Sequence, residues 1–368
     1  MKKKKIFIVC GRLSYGGAER VAVVLANGFA QRGHDVTVVA NLYDDKTYKL
    51  DARIRQLNLV PTNDNKLKKW GGAPFLLRRH LKKHCPDVII GIMWTCSFVS
   101  YVASLGLHIP VIATEHDSFE RPASAPFTAL DKFSKFVLNK IYRCVTVLTE
   151  ADKKVIGNRI KNVVVMPNPL STVPTDSIEG KQKQLIAAGR LESWHVKGFD
   201  ILIKAWGKIA SAYPEWILKI AGYGTPQEIA NIENMMQEND VSNRVELLGF
   251  RNDIQDIFRQ SEVFVLSSRY EGFGLVLIEA MSQGCACVAC DYKGRQSEII
   301  TNASVGVVCA PEDVDALAEA MKHVLDDGDN RKRMQQNAIE RSKYYLLDPT
   351  IDRWESLLNN VLNNNTSN

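Results

Sequence analysis

Short apolar runs rich in β-branched residues alternate along this chain with stretches of helical periodicity, and this alternation most limits the possible folds. The runs are, in chain order, KIFIVC, DVTVVAN, DVIIGIM, PVIATEH, CVTVLT, QLIAAGR, WILKIAGYG, RVELLGF, EVFVLSS, CACVACD and GVVC. The helical patterns lie near 16–31, 73–84, 96–105, 125–142, 199–212, 226–239, after 253, near 275–281, and from 312 to 362. Strands separated by such helices are typical of βαβ units. We therefore predict the α/β class with doubly wound, parallel sheets.

The alternation breaks once, in the polar stretch LSTVPTDSIEGKQKQ, residues 170–184. At 368 residues the chain is longer than one hydrophobic core usually supports. We predict two Rossmann-like domains, 1–169 and 185–340, with 170–184 as their linker. Residues 341–368 are expected to form a C-terminal helix that packs back on the first domain and ends in a disordered NNNTSN tail. Ligands of such sheets bind outside the carboxyl ends of the strands, so we expect the active site in the cleft between the domains.

The composition is that of a globular protein, with 45% hydrophobic and 24% charged residues. No apolar run approaches the roughly 20 residues that span a bilayer. The start, MKKKKIFIVCG, has too short an apolar segment for a secretion signal and is better explained as a first strand. Most of the eight cysteines lie inside apolar runs, as small buried residues do in a reducing compartment. We expect a cytoplasmic protein.

Neither of the sequence patterns that resemble metal sites predicts a metal ion. Cys285, Cys287 and Cys290 lie on one probable buried strand, whose side chains alternate in direction and cannot converge on one tetrahedral ion. Two Asp-x-Asp strings occur, at 313–315 and 327–329. The first opens a helix and the second is expected in a glycine-containing turn, so both are interpreted as solvated surface. We expect no metal.

The charge is distributed unevenly. Residues 1–170 contain 27 Lys and Arg against 13 Asp and Glu, a net charge of +14, although the whole chain carries +6. The segment 65–87, NKLKKWGGAPFLLRRHLKKHCPD, places basic residues beside Trp70 and Phe75. Such a segment fits the anionic face of a membrane, although it could equally be a crossover helix with one solvated basic side. No nucleic-acid-binding module is recognisable, so nucleic acid is not an expected partner.

The stretch SSRYEGFGLVLIEAMSQG, residues 267–284, combines a buried helix with two carboxylates. The run 275–281 is apolar on every side except at Glu279, and a helix that is apolar all round is buried. A buried carboxylate needs a partner, which is either a structural Arg or a ligand. Glu271 lies on the loop before this helix, where the unpaired N–H groups of the first turn favour a phosphate.

Two cations of the second domain are expected near this loop. Arg190 follows a strand, and Lys197 precedes Gly198 on the loop that enters the next helix. A guanidinium offers a bidentate fork and an ammonium a mobile point charge, and together they suit a diphosphate. Each residue alone would more often be a solvated surface residue.

The first domain offers two further positions at strand ends. Gly16 and Gly17 follow the first strand and open a helix, where paired glycines let a ligand approach the helix N-terminus closely. Glu115 and His116 come directly after PVIAT. A histidine there can be a surface residue, but its place at a strand end favours contact with substrate.

Together these motifs resemble the retaining family-4 glycosyltransferases, which have two Rossmann-like domains in the GT-B fold. The matching pieces are GGAER at 16–20, TEH at 114–116, PNP at 167–169, GRL with a later KG at 189–198, AGYG at 221–224, GF at 249–250 and EGFGLVLIEA at 271–280. The last piece is a Glu-x7-Glu motif and is specific. The GGA and GRL pieces are specific only when they occur together with the other motifs. The resemblance covers nearly the whole chain.

The resemblance implies roles for individual residues. The implied donor-binding residues are Gly16, Gly17, Arg190, Lys197, Phe250, Arg251, Gly272, Phe273, Gly274, Leu275 and Glu279. The implied catalytic residues are Glu271, His116, Arg190 and Lys197. The two cations and the amides after Glu271 would bind the donor diphosphate, and Glu279 would bind the ribose hydroxyls. Glu271 and His116 would contact the transferred sugar, and the backbone near Phe250 and Arg251 would recognise the base.

Two departures from the family pattern stand out. Arg190 and Lys197 are seven positions apart, which is longer than the usual family spacing, with Trp194 and His195 in the additional loop. Tyr223 occupies a position between two glycines where the family often has an acidic residue, and we interpret this as a change at the surface.

The implied reaction moves a hexose or an N-acetylhexosamine from a nucleotide sugar to a glycan or lipid-linked acceptor in bacterial-type surface polysaccharide or lipopolysaccharide assembly. A UDP-sugar is favoured over a GDP-sugar as donor, retention of anomeric configuration is expected, and no cofactor is expected. The alternatives are a nucleotide-sugar epimerase or phosphorylase on the same fold, and a non-catalytic nucleotide-sugar-binding protein. The sugar, the acceptor and the linkage are not decided by any motif.

Overall fold

The computed structural model describes residues 2–14, 16–44, 48–62, 66–123 and 125–363. For residues 66–69 it describes the backbone but not the side chains. The chain divides into two compact units, the first comprising Met1–Ser171 and Tyr345–Asn368 and the second Thr172–Tyr344. No helix in the described part of the chain is long and apolar enough to cross a membrane. The NNNTSN tail lies outside the described residues from 364 onward, as does residue 65 of the basic segment.

The first unit contains a seven-stranded parallel sheet. Its strands and helices are β1 (Lys5–Val9), α1 (Gly17–Gln31), β2 (Asp35–Ala40), β3 (Arg55–Asn58), α2 (Lys66–His84), β4 (Val88–Ile92), α3 (Met93–Ser104), β5 (Val111–Thr114), α4 (Ala129–Phe136), β6 (Cys144–Val147), α5 (Glu150–Ile156) and β7 (Val163–Val165). Short 3₁₀ turns follow at Leu138–Lys140 and Gly157–Arg159. The strand order is β3-β2-β1-β4-β5-β6-β7, so the direction of strand addition reverses at β1.

The second unit contains a six-stranded parallel sheet. Its strands and helices are β8 (Gln182–Ala188), α6 (Trp194–Lys197), α7 (Phe199–Ile209), β9 (Ile217–Ala221), α8 (Pro226–Glu238), β10 (Val245–Gly249), α9 (Ile254–Gln260), β11 (Ser261–Leu266), α10 (Leu275–Ser282), β12 (Ala286–Cys290), β13 (Gly306–Cys309), α11 (Val314–Asp326) and α12 (Gly328–Ser342). The 3₁₀ turns are Leu191–Ser193, Ala210–Ala212 and Lys343–Tyr345. The order β10-β9-β8-β11-β12-β13 reverses at β8. The prediction of two doubly wound parallel sheets is therefore confirmed.

The last helix, α13 (Leu347–Asn363), belongs to the first unit. It packs on α1, and a Cβ atom built at Gly28 would lie only 2.7 Å from Ile351 Cδ1, so the two helices touch through this glycine. Trp354 contacts the Phe29 ring edge to face, and Glu355 Oε1 lies 2.8 Å from Nε2 of the buried His34. The end of the chain is thus held by both apolar packing and a buried polar pair.

Each unit has its own apolar core. In the first, alternate residues of the central strands, such as Ile89 and Val145, pack with Leu77 and Leu81 of α2. In the second, the core is built around the fully buried Trp206 of α7. Strands buried on both faces explain why the sequence shows continuous apolar runs rather than alternation.

Several element boundaries differ from the sequence predictions. β3 was not predicted, because this edge strand is the polar segment RQLN. α2 begins at Lys66 rather than near 73 and continues through Pro74. α4 spans Ala129–Phe136 rather than 125–142, because a capping box of Thr128 and Asp131 sets its first residue. The strand β8 begins at Gln182, within the range 170–184 expected to be a linker.

The Asp-x-Asp strings and the clustered cysteines are structural. Asp313 and Asp327 each accept a hydrogen bond from a backbone N–H and cap α11 and α12, so the turn expected at 327–329 is wrong and is a helix start. Burial raises the pKa of the Cys285 thiol to about 11 and that of Cys287 well above its usual value, which keeps both protonated. Among the residues that the structure describes, no group of three potential ligands is positioned to hold a metal ion.

Candidate functional site

Two loops of the second unit lie side by side where the strand order of its sheet reverses. β8 pairs with β9 on one side and with β11 on the other. Ligands of doubly wound sheets bind outside the carboxyl ends of the strands at such a reversal. The loop after β8 carries Arg190 and Lys197, and the loop after β11 carries Glu271. The fold therefore places Arg190, Lys197 and Glu271, three of the charged residues that the sequence singled out in this unit, on these two neighbouring loops.

Gly198 lets the two loops approach closely. A Cβ atom built there would lie 2.0 Å from the carbonyl oxygen of Ser267, and its φ of +65° is a conformation that favours glycine. The Arg269 N–H donates to the Val196 carbonyl at 2.9 Å, and the Ser267 hydroxyl donates to the Lys197 carbonyl at 2.9 Å. The short helix α6 is thus fixed against the end of β11. The additional residues between Arg190 and Lys197 form this helix rather than an open loop.

Lys197 and Glu271 form an ion pair between the two loops. Lys197 Nζ donates to Glu271 Oε1 at 2.6 Å, and the Ser268 hydroxyl donates to the same oxygen at 2.8 Å. Both charged side chains are largely shielded from water, so the ion pair is less screened than an exposed one. The aliphatic part of Lys197 packs beside Gly189, which positions the ammonium. The site thus holds a cation and a carboxylate within hydrogen-bonding distance.

A second ion pair braces the same loops. Arg269 forms two hydrogen bonds of 2.8 Å with the carboxylate of Asp200 and also donates to the His195 carbonyl. This pairing raises the pKa of Arg269, and the Arg269 hydrogen bond contributes to holding the pKa of Asp200 below its usual value despite partial burial. Sequence reasoning missed both residues, because they are 69 positions apart and neither has a local signal.

Arg190 lies at the start of the 3₁₀ turn after β8 and is exposed. Its backbone is fixed, because a Cβ built at Gly222 would lie 1.8 Å from the Gly189 carbonyl oxygen and Leu191 N–H donates to the Tyr223 carbonyl at 2.8 Å. Within the described part of the chain the Arg190 guanidinium forms no ion pair. A fixed backbone with an uncommitted guanidinium suits the binding of an anion.

Helix α10 begins directly after the loop that carries Glu271. Gly274, with φ of +92°, ends the loop, and Phe273 packs into the protein. Gly272, Gly274 and Leu275 lie at the first turn, where the first N–H groups of a helix generally lack an acceptor within the helix, although that of Leu277 donates to the Gly274 carbonyl at 2.9 Å. Glu279 is 3% exposed, so the prediction that it is buried is confirmed. An N-terminus flanked by Lys197 is a favourable place for a phosphate.

Phe250 and Arg251 lie on the loop after β10. Phe250 is exposed, and Arg251 forms hydrogen bonds of 2.8 and 2.6 Å with Asp253. The Gly222 N–H donates to the Gly249 carbonyl at 2.9 Å, which links this loop to the one after β9. The backbone expected to recognise a base is therefore at the same sheet edge as Arg190, two strands away.

In the first unit, His116 lies at the end of β5 and is neutral near pH 7. Burial lowers the pKa of its imidazole to about 4, with a smaller opposing effect from the Asn168 side chain and a further lowering by Lys135. The Thr114 hydroxyl donates to the Gly91 carbonyl at 3.0 Å and lies 3.0 Å from His116 Nε2. Since its one proton is used, the hydroxyl accepts from Nε2–H. Nδ1 therefore carries the lone pair and can accept a hydrogen bond.

The loop that carries His116 is held by buried charges. Lys135 of α4 donates to Glu115 Oε2 at 3.0 Å and to the Asp117 carbonyl at 3.1 Å, and Asn139 donates to Glu115 Oε1 at 2.9 Å. Lys135 also lies 4.4 Å from the centre of the Phe119 ring. Glu115 is thus a positioning residue rather than one free to meet a ligand.

Gly16 and Gly17 lie at the start of α1, in the loop after β1 where this sheet reverses direction. Gly16 has φ of +147° and is the N-cap of the helix, and a Cβ there would lie 2.1 Å from Glu19 Oε2. The Tyr48 hydroxyl donates to the Gly16 carbonyl at 3.2 Å. The glycine therefore allows both the helix start and the close approach of Glu19.

Two doubly wound parallel sheets with charged loops at the reversal of strand order are typical of enzymes that bind nucleotides, and comparison with known proteins identifies the class. The family model described as Glycosyltransferase Family 4 matches residues 15–173, and the model described as Glycosyl transferases group 1 matches residues 174–341. The chain is a glycosyltransferase with the GT-B fold, similar to family 4.

Similar proteins are found among both curated sequences and solved structures. An uncharacterized glycosyltransferase of Haemophilus influenzae is 27% identical over 97% of this chain and 100% of its own length. An α-1,4-N-acetyl-D-galactosaminyltransferase of Campylobacter jejuni, whose named acceptor is a GalNAc-containing diNAcBac-PP-undecaprenol, is 26% identical over 98% of this chain and 99% of its own. The structure of Anabaena HepE in complex with UDP and glucose superimposes with a TM-score of 0.79 at 19% identity, covering 97% and 100% of the two chains.

Proposed function

We propose that this protein is a retaining glycosyltransferase that moves a hexose or an N-acetylhexosamine from a UDP-sugar to a glycan or lipid-linked acceptor. The observation that carries the proposal is the pairing of Lys197 with Glu271 beside the N-terminus of α10. The complex of the structural neighbour HepE with UDP and glucose, and the undecaprenol-linked acceptor in the name of the Campylobacter relative, support the donor and acceptor classes.

The roles follow from the charge that develops during transfer. Breaking the bond between the sugar and the diphosphate builds negative charge on the leaving group, which Arg190, Lys197 and the first-turn amides of α10 would stabilise. Positive character develops at the anomeric carbon, near which the Glu271 carboxylate would lie. When a diphosphate binds, it would compete with Glu271 for the Lys197 ammonium, so the ion pair keeps the cation positioned before the donor arrives.

We further propose that His116 and Glu279 contact the donor. The neutral His116 imidazole can accept a hydrogen bond from a sugar hydroxyl through Nδ1. The buried Glu279 carboxylate would bind the ribose hydroxyls, and the backbone of Phe250 and Arg251 would recognise the base. These assignments do not require a metal ion, because fixed cations and amides supply the positive charge.

Retention is expected to occur by attack of the acceptor hydroxyl on the side from which the nucleoside diphosphate leaves, with a donor phosphate oxygen taking the proton. This proposal is based on the absence of an evident enzymic nucleophile other than Glu271 among the described site residues. Trapping a covalent sugar adduct on Glu271 would contradict it. An NMR measurement of the anomeric configuration in the product tests retention independently.

We also propose peripheral contact of segment 65–87 with an anionic membrane, at the inner face of the plasma membrane. Phe75 of α2 is 78% exposed, and Arg79, Lys82 and Lys83 are exposed on the same helix. Leu77 and Leu81 are buried in the core, so α2 is a crossover helix with one solvated basic side as well.

The reaction class is tested by offering the protein a set of UDP- and GDP-sugars with and without a short-chain lipid-diphosphate glycan acceptor. Transfer predicts release of free nucleoside diphosphate that depends on the acceptor, together with a lengthened glycan. Conversion of one nucleotide sugar into another without acceptor would instead identify an epimerase. Formation of a sugar phosphate only with inorganic phosphate would identify a phosphorylase. Tight donor binding without any turnover would indicate a non-catalytic binding protein.

A further inference from the structure

Two cysteines lie opposite each other at the carboxyl ends of neighbouring strands in the second unit. Cys290 ends β12 and Cys309 ends β13, and the two residues are partners in the register of these parallel strands. Both are free thiols, and their Sγ atoms are 3.9 Å apart. Neighbouring strands are about 4.8 Å apart, and a disulfide joins cysteines whose Cα atoms are roughly 4.4–6.8 Å apart. The two thiols can therefore be joined while the strands stay paired.

The other two cysteines near β12 have different neighbours. Cys287 is paired with Phe264 on β11 and with Gly306 on β13. Cys285 precedes β12, and its thiol donates to the Phe258 carbonyl at 3.1 Å. The register of the sheet therefore places a thiol opposite the last cysteine of the CACVAC run.

The two paired thiols differ in their access to solvent and in their acidity. Cys290 is 1% exposed, whereas Cys309 is half-buried. A hydrogen bond from the Cys290 S–H lowers the pKa of Cys309 below its usual value, against an opposing effect of partial burial, and the same contact raises the pKa of Cys290. The thiolate is the reactive form of cysteine. An oxidant from solution would therefore react first at Cys309, with Cys290 placed behind it as the resolving thiol.

The end of β13 leads to the loops of the candidate site. Three residues beyond Cys309, the Glu312 carboxylate lies 3.8 Å from Nε of Arg269. Arg269 holds the short helix α6 against the end of β11 through two backbone carbonyls, and α6 ends at Lys197. A movement of the β13 end would therefore reach the contact that positions the Lys197 ammonium.

The end of β12 leads to the same loops. Tyr292, two residues beyond Cys290, packs edge to face against Tyr270 with ring centroids 6.1 Å apart. Tyr270 directly precedes Glu271 in the chain. The separation of the two strand ends is thus coupled by direct contacts to both loops of the candidate site.

We propose that Cys290 and Cys309 are a reversible redox pair, which hydrogen peroxide joins in a disulfide and a low-molecular-weight thiol reopens, and that the disulfide slows turnover at the candidate site. The Cys309 thiolate attacks one peroxide oxygen, the O–O bond breaks, and hydroxide leaves a sulfenic acid on Cys309. The Cys290 sulfur then attacks the sulfenic sulfur and loses its proton, and the S–O bond breaks to release water. Each sulfur is oxidised by one electron, and the peroxide is reduced to water.

The effect on turnover follows from the movement that the disulfide requires. The sulfur atoms must approach from 3.9 Å to about 2.05 Å, so the side chains rotate and the strand ends move toward each other. This movement shifts Glu312 and Tyr292, and with them the loops that position Lys197. A displacement of about 1 Å can cost roughly 100-fold in rate. The effect on turnover rests on the proposed function, whereas formation of the disulfide does not.

The test is treatment of the reduced full-length protein with hydrogen peroxide, followed by alkylation and peptide mass spectrometry. We expect a cross-link between the peptides of Cys290 and Cys309, with a mass lower by two hydrogen atoms, that dithiothreitol removes. Cys309→Ser should form no such cross-link. Cys85→Ser is the matched control, because Cys85 is an exposed cysteine of the first unit, and it should form the cross-link as the unmodified protein does.

Turnover is measured on the same samples. The unmodified protein and Cys85→Ser should lose at least about fivefold in kcat on oxidation, as expected for displaced catalytic groups, and should recover with dithiothreitol. Cys309→Ser should keep its turnover in peroxide. Hydrogen exchange in residues 194–199 and 267–271 should change on oxidation of the unmodified protein and return on reduction, which detects the movement without any substrate.

Three outcomes would overturn the proposal. The first is absence of the cross-link at a peroxide concentration that oxidises the exposed Cys85. The second is a cross-linked protein whose turnover and hydrogen exchange are unchanged. The third is an equal loss of turnover in Cys309→Ser, which would assign the effect to another oxidised residue. A reduced protein that transfers no sugar, but forms the cross-link and shows the change in hydrogen exchange, would contradict the proposed function alone.

Discussion

The Lys197 ammonium and the Glu271 carboxylate form an ion pair within the proposed donor site, where a leaving diphosphate would need a positive charge and an anomeric carbon a negative one. Their Nζ–Oε1 distance is 2.6 Å, and the Ser268 hydroxyl fixes the shared carboxylate. At the scale of single residues, the consequence is that each partner positions the other in the absence of substrate. Removal of one should therefore affect both charge stabilisation and the geometry of the site.

The first prediction concerns this pair. Lys197→Met and Glu271→Gln should each lower kcat by roughly 100- to 1,000-fold, the usual cost of losing one transition-state electrostatic contact. Lys197→Met should also weaken binding of the nucleoside diphosphate, whereas Glu271→Gln should leave it nearly unchanged. The control is Lys204→Met on α7, where the lysine is exposed. Steady-state kinetics together with calorimetric binding of UDP measure the difference, and an active Lys197→Met enzyme would rule out the assigned role.

The second prediction concerns the protonation of His116. With a pKa lowered from 6.5 to about 4, the folded protein binds a proton here more weakly than the unfolded chain does. The contribution of His116 to stability is therefore fully present above pH 6.5 and is lost as the pH falls from 6.5 toward 4, by at most about 1.4 kcal/mol per pH unit. The difference in the free energy of unfolding between the unmodified protein and His116→Gln, measured with denaturant at several pH values, gives this contribution of His116. NMR of the imidazole should show Nε2–H and no titration between pH 5.5 and 8; a ring that titrates near 6.5 would show that His116 is not desolvated.

At the scale of elements, the site depends on how tightly the turn α6 is held against the end of β11. Gly198 has no side chain at the point where the two backbones touch, so it allows their close approach. The two hydrogen bonds between Arg269 and Asp200 then hold the loops together. The rigidity of this contact determines where Lys197 lies. It also explains the longer spacing between Arg190 and Lys197, because the additional residues form a helical turn.

The third prediction tests this contact. Gly198→Ala adds a Cβ atom 2.0 Å from a carbonyl oxygen at a positive φ, and should cost at least about 2 kcal/mol in the free energy of unfolding. Gly180→Ala is the matched control, because Gly180 has a similar φ of +73° with no atom within 4 Å of the added Cβ, and should cost about 1 kcal/mol. Urea denaturation measures both. Equal costs would show that backbone conformation alone, rather than close approach, requires glycine at 198.

At the scale of the whole molecule, the doubly wound sheets were predictable because strands buried on both faces leave long apolar runs in the sequence. The edge strand β3 was not predictable from the sequence, because its segment RQLN is polar and only its pairing with β2 makes it a strand. The loops of Arg190, Lys197 and Glu271 could be found from sequence, since strand ends at a reversal of sheet order meet. Arg269 and Asp200 could not, because their contact depends on the three-dimensional path of both loops.

Helix α4 shows a different limit. Its apolar spacing is visible in the sequence, but the spacing is the same whether that side faces the core or the solvent. The orientation depends on Lys135 reaching the buried Glu115, 20 positions earlier, which no local pattern encodes. The exposure of this apolar side could therefore not be predicted from the sequence.

Calorimetric titration with UDP and GDP is the sharpest test of the proposal that the loops after β8 and β11 form a nucleotide-sugar diphosphate site. We predict that the unmodified protein binds one of the two, and that Arg190→Gln weakens binding by at least about tenfold, as expected for the loss of a hydrogen bond to a charged group. Arg259→Gln, which removes an exposed arginine paired with Asp256 in the same unit, should bind normally. Failure of the unmodified protein to bind UDP, GDP or any of their sugars, or equal affinity of Arg190→Gln, would contradict the claim.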